Sequence, residues 1–314
     1  MSLAAKLPYD HAYAGGYPGI GSQPLPTDAD AIDYLSRMAT ADGAGVETGV
    51  AVAVDAFFRG LKATPGLFDA IKASCVLCGA RTITGALVPL AGDAPTSNGF
   101  VSGDYSRTDG ITGDGTSYLD TNQNTSLFAA ATSRHHFVFG SGFAVSGSFA
   151  FSGLYDSSSA ATIEILNEID PGPIRQYRSG SGVGGNYPVI SSGFTESGSV
   201  SASRVSSTSA SLYQNGANVN ENTSNVTPLA SSLTFYVFAV NINGSPVGPT
   251  NSTLQFWSIG DGLDDTQMLA FHTAATNLMN RLKFALLVGE NPSGLDPDTI
   301  DYIVRGYEAG GSLE

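Results

Sequence analysis

The stretch SASRVSSTSASLYQNGA, residues 201–217, indicates the fold class of this chain. Within and just before it lie two runs, 198–206 and 209–214, in which apolar and polar residues alternate. A period of two is the side-chain period of a β-strand, so both runs are predicted strands. Between Gln214 and Ala217 stands Asn-Gly, which tolerates the positive φ angles of a type I′ turn. The stretch therefore predicts a β-hairpin.

The same texture extends from about residue 81 to about residue 260. Alternating apolar residues and turn residues recur roughly every eight to twelve positions, which is typical of β-sandwiches. Further strands are predicted near 100–105, 110–120, 135–142, 146–154, 161–168, 233–241 and 254–259. The Gly- and Ser-rich segment 178–198 is predicted to be a long loop. We expect a mainly β protein.

Helical patterns flank this β region. Apolar residues spaced by three and four predict helices over residues 28–42, 46–59, 65–73 and 264–282. Thr27 or Asp28 suits the N-cap of the first helix, Gly43 and Gly45 are its predicted stops, and Gly60 is the predicted stop of the second. Three short amphipathic helices bury little surface alone, so they must pack on another element.

A decapeptide occurs twice in the chain. Residues 28–37 read DADAIDYLSR and residues 296–305 read DPDTIDYIVR. The second copy stops where the first continues into another helix, which leaves apolar surface in need of a partner. We expect equivalent surfaces to receive both copies, with tyrosines as anchors and arginines paired with carboxylates. The predicted assembly residues are Ile32, Tyr34, Arg37, Ile300, Tyr302 and Arg305.

These patterns divide the chain into four segments. We predict an extended N-terminal arm over residues 1–27, a small helical module over 28–80, the β-sandwich with its helix over 81–285, and a C-terminal helical half-repeat over 286–314.

Charge excludes one class of partner. The chain carries 14 basic and 28 acidic residues, a formal net charge of −14, which would repel the phosphates of nucleic acids. The most apolar run, residues 49–58, is too short to cross a bilayer and contains Asp55. We therefore expect no nucleic-acid partner and no membrane span.

Four longer runs point to a family. They are IKASCVLCGARTITGALVPLAGDAPT (71–96), GDYSRTDGITGDGTSYLDTN (103–122), SASRVSSTSASLYQNG (201–216) and FAVNINGSPVGPTNSTLQFWSIGDGLDDTQMLAFHTAATNLMNRL (238–282). Together they resemble structural proteins of tailed bacteriophages, particularly phages of cyanobacteria and other marine bacteria. The resemblance covers roughly residues 28–285 and implies a concanavalin-A- or laminin-G-like jelly roll.

That resemblance implies a non-enzymatic protein of the virion. It would belong to a tail or baseplate fibre, or decorate the capsid, and act by assembly with other virion proteins. We expect a homo-oligomer, for which a trimer is one arrangement.

The alternative function is a receptor-binding lectin for host surface glycans. Sugars bind to exposed aromatic rings with amide and carboxylate partners nearby. The candidate rings near predicted rims are Tyr155, Tyr177, Tyr187 and Tyr213, with Asn186, Asn215, Asn218 and Asn220 close in sequence. Trp257 follows a strand core pattern and is predicted to be buried.

Glycoside hydrolysis is a less favoured alternative. One glucanase family with this sandwich has E-x-D-x-x-E along one strand. Here Glu168 and Asp170 supply half of that motif, but its third carboxylate falls on Pro173, so Glu164 and Glu168 are interpreted as solvated rim acids. The pair His135-His136 begins a strand and is interpreted as structural, one ring inward and one outward.

No cofactor is expected. Cys75 and Cys78 form a CxxC without matching histidine ligands, and their apolar neighbours predict buried thiols. Calcium is the alternative considered, at Asp109, Asp114 and Asp120 in a turn-rich region. Turn formation alone also explains these aspartates.

Overall fold

The computed structural model describes residues 26–129, 133–143, 149–157, 161–168, 174–181, 189–190, 195–223 and 230–290. In these ranges two β-sheets enclose one apolar core, and helices build a second core against the outer face of one sheet. The chain is therefore a mainly β sandwich with a few helices, as the alternating pattern predicts.

The described helices are α1 (Ala29–Asp42), α2 (Thr48–Ala63), α3 (Leu67–Ala70), α4 (Ile83–Ala86) and α5 (Asp265–Glu290). The described strands are β1 (Ile71–Val76), β2 (Pro89–Ala91), β3 (Thr96–Asn98), β4 (Tyr105–Ser106), β5 (Gly110–Thr112), β6 (Tyr118–Asp120), β7 (Arg134–Ser141), β8 (Phe149–Asp156), β9 (Ala161–Glu168), β10 (Ile174–Ser181), β11 (Val189–Ile190), β12 (Ser197–Ser206), β13 (Ser209–Gln214), β14 (Ala217–Asn222), β15 (Tyr236–Val237), β16 (Val240–Ile242), β17 (Ser245–Val247) and β18 (Thr253–Gly260).

Sheet 1 runs in the order β14-β13-β12-β7-β18-β1-β2, with β5 on β18 and β4 on β5. Sheet 2 runs in the order β11-β10-β9-β8-β15-β6-β3, with β16 on β8 and β17 on β16. The β16–β8 pairing is parallel, whereas β7 pairs antiparallel with both β12 and β18. The strands predicted at 161–168 and 209–214 are confirmed, and those near 135–142, 146–154, 198–206 and 254–259 are found within three residues.

The central strands of sheet 1 are buried on both faces. On β7, Val138 points into the core between the sheets, whereas Phe137 and Phe139 point into the core beneath the helices. Because both faces are covered, β7 is buried continuously from Arg134 to Gly140 and has no solvent-facing alternate positions.

The burial of both faces of β7 also explains where its two adjacent histidines lie. The His135 ring lies 6.0 Å from the ring of Phe271 on α5, and the His136 ring lies 5.3 Å from Phe235 inside the sandwich. Each ring is fully buried. The prediction of one outward histidine is therefore wrong, because the face opposite the sandwich core is covered by α5.

The first helix follows its sequence signals. The Asp28 carboxylate accepts hydrogen bonds from the backbone N–H groups of Asp30 and Ala31, at 3.0 and 3.2 Å. Gly43 ends α1 with a φ of 66°, in the left-handed region where glycine is unstrained. The N-cap and the stop are confirmed.

The ends of the next two helices differ from the prediction. Helix α2 continues through Gly60 to Ala63, because Leu61 is fully buried in the helical core and its burial stabilises another turn. The predicted third helix is wrong beyond Ala70, where residues 71–76 form β1 between β18 and β2. This strand lies within the range that the sequence assigns to the helical module.

A buried carboxylate joins the start of α1 to α2. Asp55 Oδ1 accepts hydrogen bonds from the N–H groups of Thr27 and Asp28, both at 2.8 Å, and its Oδ2 lies 2.6 Å from Arg59 Nη2. The Asp55 side chain is 3% exposed. The buried carboxylate therefore ties two backbone donors at the start of α1 to α2, where it also needs them as partners.

We expect Asp55→Asn to lower the free energy of unfolding by about 2 kcal/mol, because the amide loses the ion pair and one acceptor oxygen. Urea denaturation measures this change. The matched control is Asp33→Asn, whose carboxylate is 68% exposed beside Arg37 and should change the midpoint little. Equal midpoints for both variants would contradict the role given to Asp55.

Candidate functional site

A cavity of about 400 Å³ opens on the outer face of sheet 1, beside the first residues of α5. Its volume falls within the range of about 300–1,000 Å³ that is usual for small-molecule sites. Its lining is mostly polar and consists of Ser203, Val205, Ser209, Ser211, Tyr213, Asn218, Glu221, Leu263, Asp264, Asp265 and Thr266.

Strand alternation brings the lining together. On β13, Ala210 and Leu212 point into the sandwich core, so Ser209, Ser211 and Tyr213 share the opposite face. The register pairs Ser211 with Ser203 on β12 and with Glu221 on β14, and it pairs Tyr213 with Asn218. Three neighbouring strands thus place their polar side chains on one patch.

The start of α5 supplies two carboxylates. Asp264 and Gln267 cap the helix reciprocally: Asp264 Oδ1 accepts from the Gln267 N–H at 2.8 Å, and Gln267 Oε1 accepts from the Asp264 N–H at 3.1 Å. Asp265 Oδ1 accepts from the Tyr213 hydroxyl at 2.7 Å and from Asn218 Nδ2 at 3.2 Å. These bonds hold both carboxylates in place before any ligand arrives.

Tyr213 contributes its hydroxyl group, and not the face of its ring, to the cavity. The residue is 2% exposed and belongs to the core beneath the helices. Burial, reinforced by the hydrogen bond to Asp265, raises the pKa of Tyr213 well above its ordinary value, so the hydroxyl stays protonated. The predicted stacking platform at Tyr213 is therefore wrong, because the ring packs inside the protein.

The other predicted aromatic residues lie elsewhere. Tyr155 is half-buried on β8 in sheet 2, where its register partner is Ile242. The side chain of Tyr177 and the whole of Tyr187 lie outside the described residues, as does Asn186. Trp257 is 1% exposed in the core between the sheets, which confirms its predicted burial.

The predicted Asn-Gly turn sits at the end of the hairpin that bears the cavity. Asn215 and Gly216 have φ angles of 50° and 76°, both positive, which confirms the type I′ signal. Asn215 Oδ1 accepts from the backbone N–H of Ser199 at 2.9 Å. Its amide therefore fixes the turn.

The first copy of the decapeptide contacts its own chain. Tyr34 is 1% exposed and its ring lies 6.0 Å from the Phe58 ring, while Arg37 donates to the Pro89 carbonyl at 2.7 Å and to Asp33 at 2.8 Å. The prediction that Tyr34 anchors a partner is wrong, because α1 packs it against α2. Ile32 is half-buried. The second copy, with Ile300, Tyr302 and Arg305, lies outside the described residues.

The aspartates weighed for calcium each form turn hydrogen bonds. Asp114 accepts from the N–H groups of Ser117 and Thr116, which hold the pKa of its carboxyl well below the usual range. Asp120 accepts from the Asn122 N–H, and Asp109 accepts from the Ser106 hydroxyl. Over the ranges that the structure describes, no group of three or more His, Cys, Asp and Glu side chains converges on a metal position.

Cys75 and Cys78 are buried free thiols, as predicted. Burial raises the pKa of the Cys78 thiol to about 12 and raises that of Cys75 as well. A reactive cysteine needs the opposite shift, because the thiolate is the nucleophile. The residues of the hydrolase hypothesis cannot be compared with the structure. Glu164 and Glu168 belong to β9, whose side chains lie outside the described set, and Asp170 and Pro173 lie outside the described residues.

Sequence reasoning missed most of the cavity. It considered Tyr213 and Asn218 as sugar ligands but not Ser211 or Glu221, and it interpreted Asp264-Asp265 only as a helix start. The available signal was the alternation in SASLY, residues 209–213, which places Ser209, Ser211 and Tyr213 together on the face opposite Ala210 and Leu212.

Within the described helices, none has both the length and the apolar character to cross a membrane.

No protein-family model matches the chain, and no curated protein does. Among solved structures, a Trypanosoma rangeli sialidase in complex with 2,3-difluoro-KDN is similar over 72% of this chain and 39% of its own, at 11% identity and a TM-score of 0.44. The Ruminococcus gnavus IT-sialidase CBM40 bound to α2,3-sialyllactose is similar over 52% of this chain and 95% of its own, at 11% identity and a TM-score of 0.39.

The NanB sialidase of Streptococcus pneumoniae, as its K499G mutant, is similar over 45% of this chain and 24% of its own, at 13% identity and a TM-score of 0.34. The chain thus spans well under two thirds of the length of either sialidase.

Proposed function

We propose that this protein is a non-catalytic carbohydrate-binding β-sandwich whose cavity beside the start of α5 holds a glycan. The observation that carries the proposal is the chemistry of the lining, in which hydroxyl, amide and carboxylate groups surround a space of about 400 Å³. A sugar presents hydroxyl groups in several directions, and each one donates and accepts hydrogen bonds. Such a ligand matches a lining of mixed donors and acceptors.

The same lining disfavours an apolar ligand. The apolar side chains on the lining are Val205, which is 46% exposed, and Leu263, beside the buried ring of Tyr213. An apolar molecule would leave the serine hydroxyls and carboxylates without water or partners, which costs free energy. A sugar would replace the displaced water and could lay one C–H face on Val205.

Preorganisation supports recognition. Asp264 and Asp265 accept the hydrogen bonds described above through Oδ1, and Glu221 Oε1 accepts from the Ser209 hydroxyl at 3.2 Å. One oxygen of each carboxylate is thereby held by the protein, which lets its other oxygen accept a hydrogen bond from a sugar hydroxyl. Fixing the acceptors in advance lowers the entropic cost of binding.

The sequence resemblance extends the proposal. The runs within residues 28–285 that are similar to phage virion proteins support a jelly-roll topology and a place in a phage particle, as a homo-oligomer among other virion proteins. A glycan-binding sandwich there would serve attachment to the host surface.

A binding experiment tests the site. The purified protein is applied to an array of neutral, amino and acidic glycans, and the affinity of each hit is measured by calorimetry. We expect Ser209→Trp to fill the cavity and weaken binding at least tenfold. Ser97→Trp, on the exposed strand β3, is the matched control and should bind as the parent does.

Thermal unfolding of both variants is the control that tests whether each remains folded. If no glycan binds, or if Ser209→Trp binds as tightly as Ser97→Trp, the proposed function is wrong.

A further inference from the structure

We infer that the cavity selects glycans without acidic groups, namely neutral and amino sugars, and rejects those that carry a carboxylate or a sulfate. This inference rests on the proposed function and adds the class of ligand to it.

All the formal charges on the lining are negative. Glu221, Asp264 and Asp265 each place a carboxylate on it, and every other lining side chain is uncharged. The three residues come from the edge strand β14 and from the start of α5, so they border the space from two sides. An acidic sugar would have to bring a fourth negative charge among them.

The neighbouring basic residues Arg204 and His272 do not lie on the lining. Arg204 follows Ser203 on β12 but is 3% exposed, and its guanidinium donates to the carbonyls of Ser206 and Ser207 at 3.3 and 2.9 Å. His272 lies further along α5, where its Nδ1 is 2.9 Å from the Ser199 hydroxyl. Burial lowers the pKa of His272, which keeps the ring neutral at physiological pH.

The chemistry of a ligand decides how it meets this lining. Sugar hydroxyls and a protonated amine donate hydrogen bonds to carboxylates, and such charge-assisted bonds are stronger than those between neutral groups. A carboxylate or sulfate on the ligand has no proton to donate and loses part of its hydration on entry. The net charge of −14 on the whole chain adds repulsion at low ionic strength.

The test uses ligands that differ only in the acidic group. A neutral oligosaccharide that binds on the array is compared by calorimetry with its sialylated and its sulfated derivatives and with its amino-sugar analogue. We expect the sialylated and sulfated forms to bind at least tenfold more weakly than the neutral parent, and the amino analogue to bind at least as tightly.

Glu221→Gln should reduce the ratio of neutral to sialylated affinity, and the penalty should shrink as salt rises. The charge-matched control is Glu196→Gln. It removes an exposed carboxylate immediately before the first residue of β12, and it should leave the ratio unchanged.

The outcomes separate the two claims. Preferred binding of sialylated or sulfated glycans that Ser209→Trp abolishes would overturn the inference and keep the proposed function. Equal affinity for neutral and sialylated forms, or a ratio that Glu221→Gln leaves unchanged, would also overturn the inference alone. The absence of any cavity-dependent binding would overturn the proposed function.

Discussion

Phe271→Ala should lower the free energy of unfolding by about 3–5 kcal/mol, the range for a buried aromatic residue cut to alanine. Phe271 is fully buried and joins α5 to sheet 1. Its ring stacks on Phe137 at 4.3 Å and meets Phe256 edge-on at 5.6 Å. Removal leaves a cavity between two rigid elements that cannot collapse to fill it, and it also deletes the ring contacts with Phe137, Phe256 and His135.

Urea denaturation followed by the fluorescence of Trp257, the single tryptophan of the chain, measures this loss. Leu269→Ala is the matched control, because Leu269 lies on the same helix but is 53% exposed. The control should change stability little. If both variants lose the same free energy of unfolding, the packing of α5 on sheet 1 does not depend on Phe271.

The second large effect is a loss of stability in mild acid. Burial lowers the pKa of His135 to about 4 from its ordinary 6.5. The pKa of His136 is also well below 6.5, chiefly through burial and secondarily because of the neighbouring His135 and Arg134. Both rings are therefore neutral in the folded protein at pH 7. The unfolded chain takes up protons first as the pH falls.

The direction follows from this difference. The stability that the neutral histidines confer is complete above about pH 6.5 and is lost as the pH falls from there toward 4. His135 alone should cost about 3 kcal/mol at pH 4, since one pKa unit corresponds to about 1.4 kcal/mol. Asp28, Asp109 and Asp114 have lowered pKa values, so their contribution is lost only below about pH 3.8.

Urea denaturation at pH 7.5, 6.0, 5.0 and 4.5 measures the slope. His135→Asn and His136→Asn each remove one titrating ring, and each variant should show a shallower dependence on pH than the parent between pH 6.5 and 4.5. The parallel decline of parent and both variants would show that other groups cause the acid sensitivity.

Local signals in the sequence were sufficient for much of the fold. The alternation over residues 209–214, the Asn-Gly turn, the Asp28 cap and the Gly43 stop all correspond to the structure. Each depends on contacts within a few residues or on the φ preference of one residue. The resemblance to phage proteins adds a virion role, which stays a prediction.

The failures share a different origin. Strand β1 was predicted as the end of a helix, although it completes a sheet with β18, almost two hundred residues away in the chain. Tyr34, Tyr213 and one of the two histidines of β7 were expected to meet solvent or a partner, and all are buried. In each case the sequence pattern shows an apolar or amphipathic residue but not the element that packs on its second side.

Side-chain period and local backbone preference in the sequence are enough to predict the sandwich class, the hairpin that bears the cavity and the caps of α1. Long-range packing, in contrast, covers the central strands of sheet 1 on both faces and brings Ser211, Asn218, Glu221 and Asp265 around one space. That convergence requires the register of three strands together with the position at which α5 begins. Both are set by long-range packing, which no short stretch of sequence encodes.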